Sequence, residues 1–193
     1  MRTAHIDRQT KETSISVSLN IDGKATNEIH TGIGFFDHML NSLSTHAGFD
    51  LNISVPHADL EVDGHHLVED TGIVLGNAFS DAIGDKSGIA RYGYFYIPMD
   101  ESLSFCSLDI SGRPYLVFDA PLQNGRIGSF DACLTEEFMR AFAVHAGITL
   151  HLRVLYGTNA HHMVEGLFKA LGHSLQMACI KNGDKILSTK GSL

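Results

Sequence analysis

Two adjacent histidines followed three residues later by a glutamate occur twice in this chain: His65, His66 and Glu69 in DGHHLVED, and His161, His162 and Glu165 in NAHHMVEG. Imidazole with carboxylate is a donor set that suits a divalent first-row metal. On a helix His65 and Glu69 lie one turn apart and can share an ion, whereas His66 is turned by about 100° and serves another more naturally. The order differs from the zinc-protease HExxH pattern, in which the glutamate stands between its histidines as a base. A single helical His-His pair is more often a solvent-facing accident than a ligand. A second copy with its own glutamate shifts the balance towards metal.

Two further positions join this set through helical periodicity. A helix from about Phe35 to His46 places Phe36, Met39, Leu40, Leu43 and Ala47 on one face and His38 opposite them. The corresponding later helix places Phe138, Met139, Phe142 and Ala146 inward and Glu137, aligned with His38, outward. In the two HHxxE helices the histidines and glutamates oppose apolar stripes such as Leu67, Val68, Leu75, Ala78, Phe79 and Ala82. All eight positions are therefore expected to face away from their own sheets, so that a complete ligand set needs something beyond the monomer. Two six-coordinate ions with four protein ligands each would use all eight and leave room for substrate or water; zinc is more often satisfied with fewer.

The elements that position these residues form an internal repeat. Aligning 37–55 with 136–154 gives identities at His46/His145, Ala47/Ala146, Gly48/Gly147, Leu51/Leu150 and Val55/Val154, and 65–79 matches 161–175 at both histidines, Val68/Val164 and Glu69/Glu165. Each unit is expected to run strand, strand, helix, strand, helix. The first opens with alternation at Ile15, Val17, Leu19 and Ile21, closed by the hairpin signal Asp22-Gly23. A strand near Leu51–Val55 and a helix from about His65 follow. In the second unit, strands near Tyr92–Ile97 and Phe105–Ile110 and the turn SGRPY lead to a helix from about Leu134, a strand near Thr149–Leu155 and a helix from about His161. The fold class is α+β, internally duplicated, with two halves (1–90 and 91–193) in one compact protomer, each a sheet covered on one face by two helices.

Composition excludes several functions. A net charge of -8 without a basic cluster argues against nucleic acid. No segment has the length of a membrane span, and the first residues lack the apolar stretch of a secretory signal, so the expected compartment is the cytoplasm and no membrane partner is expected. Cys106, Cys133 and Cys179 are odd in number and widely spaced, which argues against a disulfide framework and for reduced, buried thiols. TGIGFF lacks the phosphate-loop pattern GxxxxGK[ST], and no nucleotide or redox cofactor is expected.

With these residues in view, the chain closely resembles the imidazoleglycerol-phosphate dehydratase family from end to end. The motifs are TGIGFFDHML, DGHHLVED, the segment around RYG, SGRPY, TLH followed by HHMVEGLFKALG, and the tail STKG. The resemblance implies a ribosomal protein S5 domain 2-like fold, two manganese ions per active site, and a homo-oligomeric shell of 24 subunits with active sites between subunits. It carries the metal positions onto His38, His65, His66, Glu69, Glu137, His161, His162 and Glu165. At Glu137 many members have histidine, and a carboxylate can take that place on Mn²⁺. Phosphate-binding positions fall on Arg91, Arg113, Lys169, Ser188, Thr189 and Lys190. Taken alone these are more simply solvated cations and tail residues; their convergence on one small phosphorylated imidazole substrate is what the resemblance adds. Glu12 matches a substrate-contacting glutamate and is the first candidate for proton transfer, with His46 second. His145 and His151 are expected to be supporting or structural.

The implied reaction removes water from imidazole glycerol phosphate, giving imidazole acetol phosphate in histidine biosynthesis. The proton to be removed is only weakly acidic, so a ring held as imidazolate, pushing out the neighbouring hydroxyl, would ease the elimination. Phosphate cations would act by positioning. A metal-dependent phosphate-ester hydrolase, or a histidine-rich metal-binding protein, would explain part of the same residues.

Overall fold

A computed structural model describes residues 1–122 and 125–191. The first half contains β1 (Thr3–Gln9), β2 (Thr13–Asn20), β3 (Asn27–His30), α1 (Gly34–Ala47), β4 (Asp50–Ala58) and α2 (His65–Ile83). The second contains β5 (Tyr92–Met99), β6 (Ser102–Asp109), β7 (Tyr115–Asp119), the short pair β8 (Arg126–Ile127) and β9 (Phe130–Asp131), α3 (Leu134–Ala146), β10 (Thr149–Tyr156) and α4 (Ala160–Cys179). The two main sheets have the same order, β1-β2-β4-β3 and β5-β6-β10-β7, with the last pair of each parallel and the others antiparallel. Each half is thus a duplicated α+β unit.

Two expectations need correction. Each half has a third strand before its first helix, β3 or β7, which alternation in so short a segment does not announce. Asp22-Gly23 does not close a hairpin, because β2 pairs with β1 and β4 while β3 pairs in parallel with β4. The loop is organised instead by Asp50, whose carboxylate accepts the Lys24 and Thr26 amides at 2.7 and 2.9 Å, and by Arg2 on Asp22 at 2.6 Å.

The alternating burial of β2 and β6 points Ile15, Val17 and Leu19, and Cys106 and Leu108, at the helices. Contacts between α1 and α4, and between α2 and α3, join the halves through a central double layer of helices. The approach is close: a side chain at Gly76 would strike the backbone carbonyl of Phe142, and one at its repeat counterpart Gly172 that of Leu43. Gly48 and Gly147, the HAG glycines of the repeat, end α1 and α3 with φ of 71° and 64°, the left-handed region natural to a helix C-cap. The shared core holds Phe36, Phe79, Phe130, Phe138, Phe142 and Phe168, all essentially inaccessible. Gly64, before α2, packs against Ile33 and Leu134 at the starts of α1 and α3, so these helix starts gather at one end of the molecule.

Candidate metal centre

The central helix layer changes what facing away from the sheet means. For α1 and α4 that face meets the opposite half, so residues from both halves converge within one protomer. His38 on α1 and His161 with Glu165 on α4 have ligand atoms within 4.8 Å of one another. Nε2 of His38 lies 3.4 Å, and Nε2 of His161 3.0 Å, from Oε2 of Glu165. Glu165 is 6% exposed, contrary to the outward placement expected of it. The helical spacing was right; the other half covers the face.

Around Glu165, Lys169 adds an ion pair at 2.7 Å to Oε1. Burial works to raise the Glu165 carboxyl pKa, but hydrogen bonds and charge from Lys169, with help from His161 and His38, hold it below the ordinary value. It is an anionic carboxylate between two imidazoles, and that donor chemistry fits a divalent cation. Phe35 meets the His161 ring edge-on with centroids 5.0 Å apart, limiting its rotation.

The first-half set is more open. His65 Nε2 is 3.8 Å from Glu69 Oε2, and both side chains are more than two-fifths exposed. Glu137 opens the first turn of α3, which packs on α2, but it is not gathered with His65 and Glu69 as His38 is with its partners; among the described residues only the His38–His161–Glu165 group meets that closeness. The remaining histidines are held through Nδ1 by carboxylates. His66 contacts Asp59 at 2.9 Å and His162 contacts Glu101 at 2.7 Å. Such contacts fix ring orientation and leave Nε2 for a ligand. Each raises its histidine's pKa, the hydrogen bond being the main cause. Neither Asp59 nor Glu101 was foreseen, and no local pattern in the sequence marks either as the partner of its histidine.

Glu12 stands in the β1–β2 turn, its Oε2 3.9 Å from His66 Nδ1 and its side chain 52% exposed. His46 is two turns beyond His38 on α1 and pairs with His173, Nδ1 to Nε2 at 3.0 Å, while Phe95 stacks on His173 with centroids 4.3 Å apart. Burial, then His173, lowers the His46 pKa. His173 is thus half-buried between His46 and Phe95. His145 contacts Asn77 at 3.2 Å, and His151 stands on β10 with its side chain exposed. Cys106 and Cys179 are buried, their thiols pushed up to about 12 by burial, and Cys133 is exposed.

Arg91, Arg113, Ser188, Thr189 and Lys190 line one cavity of about 820 Å³ together with Lys185 and Tyr92. Arg91 is 8% exposed; its Nε and Nη2 grip Asp109 at 2.6 and 3.0 Å and its Nη1 donates to the Leu187 carbonyl at 2.5 Å. It anchors the tail as well as charging the cavity. Arg113 has two-thirds of its side chain exposed, with Nη2 3.6 Å from Asp109 Oδ2. Lys169 lies apart from this cavity, on Glu165. The Arg91 amide bonds the Ala178 carbonyl near the end of α4, thirteen residues beyond Glu165, so the metal group and the cation cavity are roughly 20 Å apart along that helix.

Fold and site together define a duplicated α+β protein with a histidine–carboxylate cluster that could hold a metal ion at one end and a cavity lined by arginine and lysine at the other. A family model described as imidazoleglycerol-phosphate dehydratase matches residues 31–175. Proteins of that name from Clostridium acetobutylicum and Caldanaerobacter subterraneus are 54% and 55% identical to it; each alignment covers 100% of this chain, and 98% and 100% of the relatives. The crystal structure of the Staphylococcus aureus dehydratase superposes with a TM-score of 0.84 at 40% identity, over 93% of this chain and 99% of that one. The Pyrococcus furiosus structure does so with 0.84 at 38%, over 97% and 100%. The chain belongs to the imidazoleglycerol-phosphate dehydratase family, hydro-lyases of histidine biosynthesis. No helix among the described residues is long and apolar enough to cross a membrane.

Proposed function

We propose that this chain dehydrates imidazole glycerol phosphate to imidazole acetol phosphate at sites assembled between protomers, each holding two Mn²⁺ ions through His38, His65, His66, Glu69, Glu137, His161, His162 and Glu165. The observation that carries the shared site is the roughly 20 Å between the metal end and the cation cavity. A substrate of one ring, three carbons and a phosphate is far shorter than that. The metal end of one protomer must meet the cation cavity of another, as the closed homo-oligomer expected of 24 subunits would allow.

A divalent metal bound there would supply Lewis-acid polarisation and a template for the ring nitrogens. The chain's own residues do the rest. Arg91, Arg113, Lys190 and the Ser188 and Thr189 hydroxyls grip the phosphate, which takes no part in bond breaking, and so fix the carbon chain; Lys169 adds a cation at the metal end. Glu12, exposed beside His66, takes the proton from the carbon next to the one that loses hydroxide. That C–H pair becomes the new double bond, the C–O pair leaves with the hydroxyl, and a proton completes the water. The enol formed then gains a proton at carbon and loses its hydroxyl proton to become the ketone. His46 is the second candidate for proton transfer.

Complementation between defective protomers tests the shared site. His38→Ala damages the metal end and Arg113→Ala the cation cavity. The His38→Ala assembly should be nearly inactive and the Arg113→Ala assembly slow at low substrate, where its weakened binding limits the rate; at that substrate level mixed reassembly should exceed both parents in ketone formation. Mixtures no better than their parents, with subunit exchange demonstrated by mass, would place the whole site in one protomer. Release of free phosphate in place of the ketone would favour a hydrolase.

A further inference from the structure

Asp70 follows the ligand Glu69 directly, yet the scheme above gives it no role. Its side chain is 8% exposed. It accepts a hydrogen bond from the hydroxyl of Thr13, itself wholly buried, and meets Arg8 Nε at 3.0 Å. Thr13 and Arg8 stand on the two strands that flank the turn carrying Glu12. Inside that turn Thr10 closes the loop: its hydroxyl oxygen accepts the Glu12 and Thr13 amides at 3.1 and 2.9 Å. On the far side, the Glu12 carbonyl accepts the Asp59 amide at 3.1 Å.

The second half lacks this link. Gly166 stands where the repeat has Asp70, and the buried hydroxyl of Ser102, at the position of Thr13, finds no hydrogen-bond partner among the described residues. There the turn is anchored by its own acid. Glu101 accepts the Thr158 and Asn159 amides at 3.1 and 2.7 Å and contacts His162 Nδ1 at 2.7 Å. The carboxylate of Glu12, the corresponding acid, makes no contact so close among the described residues; its approach to His66 is 3.9 Å. In the first half the two duties are divided, Asp59 holding His66 and Asp70 holding the hairpin.

We propose that Asp70 is a positioning residue for the dehydration: through Thr13 and Arg8 it fixes the Thr10–Glu12 turn against the start of α2, placing Glu12 beside His66 with its carboxylate free. This rests on the reading of Glu12 as the proton-transfer group. The variants Asp70→Ala, Thr13→Val, Thr13→Ser, Glu12→Gln and Glu12→Gln with Asp70→Ala are compared as metal-loaded full-length assemblies. Asp70→Ala and Thr13→Val should speed amide exchange at Thr10–Thr13 and lower kcat by about tenfold or more, with KM and bound metal per chain nearly unchanged. Thr13→Ser, which keeps the hydroxyl, should behave as wild type. The double variant should be no slower than Glu12→Gln alone, since residues acting through one another are not additive. Unchanged exchange in the turn, or an Asp70→Ala factor that multiplies in full on the Glu12→Gln background, would overturn the proposal. Wild-type turnover by Glu12→Gln would instead sink the Glu12 assignment, and turn exchange alone would then decide what Asp70 holds. Should Asp70→Ala fail to fold, Thr13→Val carries the same comparison with the carboxylate in place.

Discussion

The two halves begin their last helices with the same His-His-x-x-Glu set and cover them with the same kind of hairpin, but the acids behave differently. In the second half Glu165 is buried between His38, His161 and Lys169, and Glu101 is committed to its histidine and to two backbone amides. In the first half Glu69 and Glu12 are each about half exposed. Duplication therefore supplies two similar histidine–glutamate sets, and a few departures from it separate a half that is fixed from a half that is open. An acid available to move protons is found where the anchoring has passed to neighbours such as Asp59 and Asp70.

The largest expected difference is between the two motif glutamates. Glu165→Ala removes a buried carboxylate and strands Lys169 beside two imidazoles, so metal-free protein should lose about 3 kcal/mol of stability, the scale of a broken buried pair. Glu69→Ala, at an exposed site, should change it by no more than about 0.5 kcal/mol. Both should lose bound metal. Denaturant midpoints of the metal-free variants check the contrast, and equal losses would mean that the two halves are built alike.

Glu137 is the next point of comparison, because the repeat gives it the place of His38. Glu137→His should keep metal and activity, whereas Glu137→Ala should lower bound metal per chain and, when metal is scarce, loosen the assembled particle. Unchanged metal and activity in the alanine variant would make Glu137 an ordinary helix charge. A milder effect belongs to the cation cavity: Arg113→Ala should weaken substrate binding by about 1.5–3 kcal/mol, the scale of a charge-assisted hydrogen bond, with metal content unchanged by elemental analysis.

Much of this asymmetry was hidden from sequence reasoning for a definite reason. Local periodicity places His38, His161 and Glu165 opposite their own sheets, and that is correct. Only tertiary packing shows that the opposite side is another pair of helices, which turns an expected surface carboxylate into a buried one. The repeat and the apolar stripes were legible because each is a local pattern. Strands β3 and β7, of four and five residues, were missed because they are too short to show a period and are defined by a partner distant in sequence. Asp70 and Glu101 were missed for the same reason, and Asp59 because the turn that brings it to His66 has no period. Their partners Thr13, His162 and His66 lie 57, 61 and 7 residues away, and a lone acid carries no signature of what it will hold. Cys133, expected to be buried, stands just before α3 where the chain remains at the surface.

The smallest effect should appear in acid. Hydrogen bonding to His162, then to the Asn159 and Thr158 amides, lowers the Glu101 carboxyl from an ordinary 4.5 to about 2. A carboxyl depressed in the folded state contributes stability in full above its unfolded pKa and loses it as pH falls towards the folded one, here between about 4.5 and about 2. His162, its pKa raised by the same contact, is cationic throughout that interval, so Glu101 alone titrates within the pair. In metal-free protein the melting temperature of Glu101→Gln should therefore fall below that of wild type at about pH 6, and the gap should close as the pH approaches about 2.5. Glu12→Gln should melt with wild type across the range, because its exposed carboxylate lacks those close bonds. A gap for Glu101→Gln that persisted undiminished in acid would assign the anchoring to uncharged hydrogen-bond geometry. A gap for Glu12→Gln that closed in the same way would mean that the first hairpin, too, is held by its own acid.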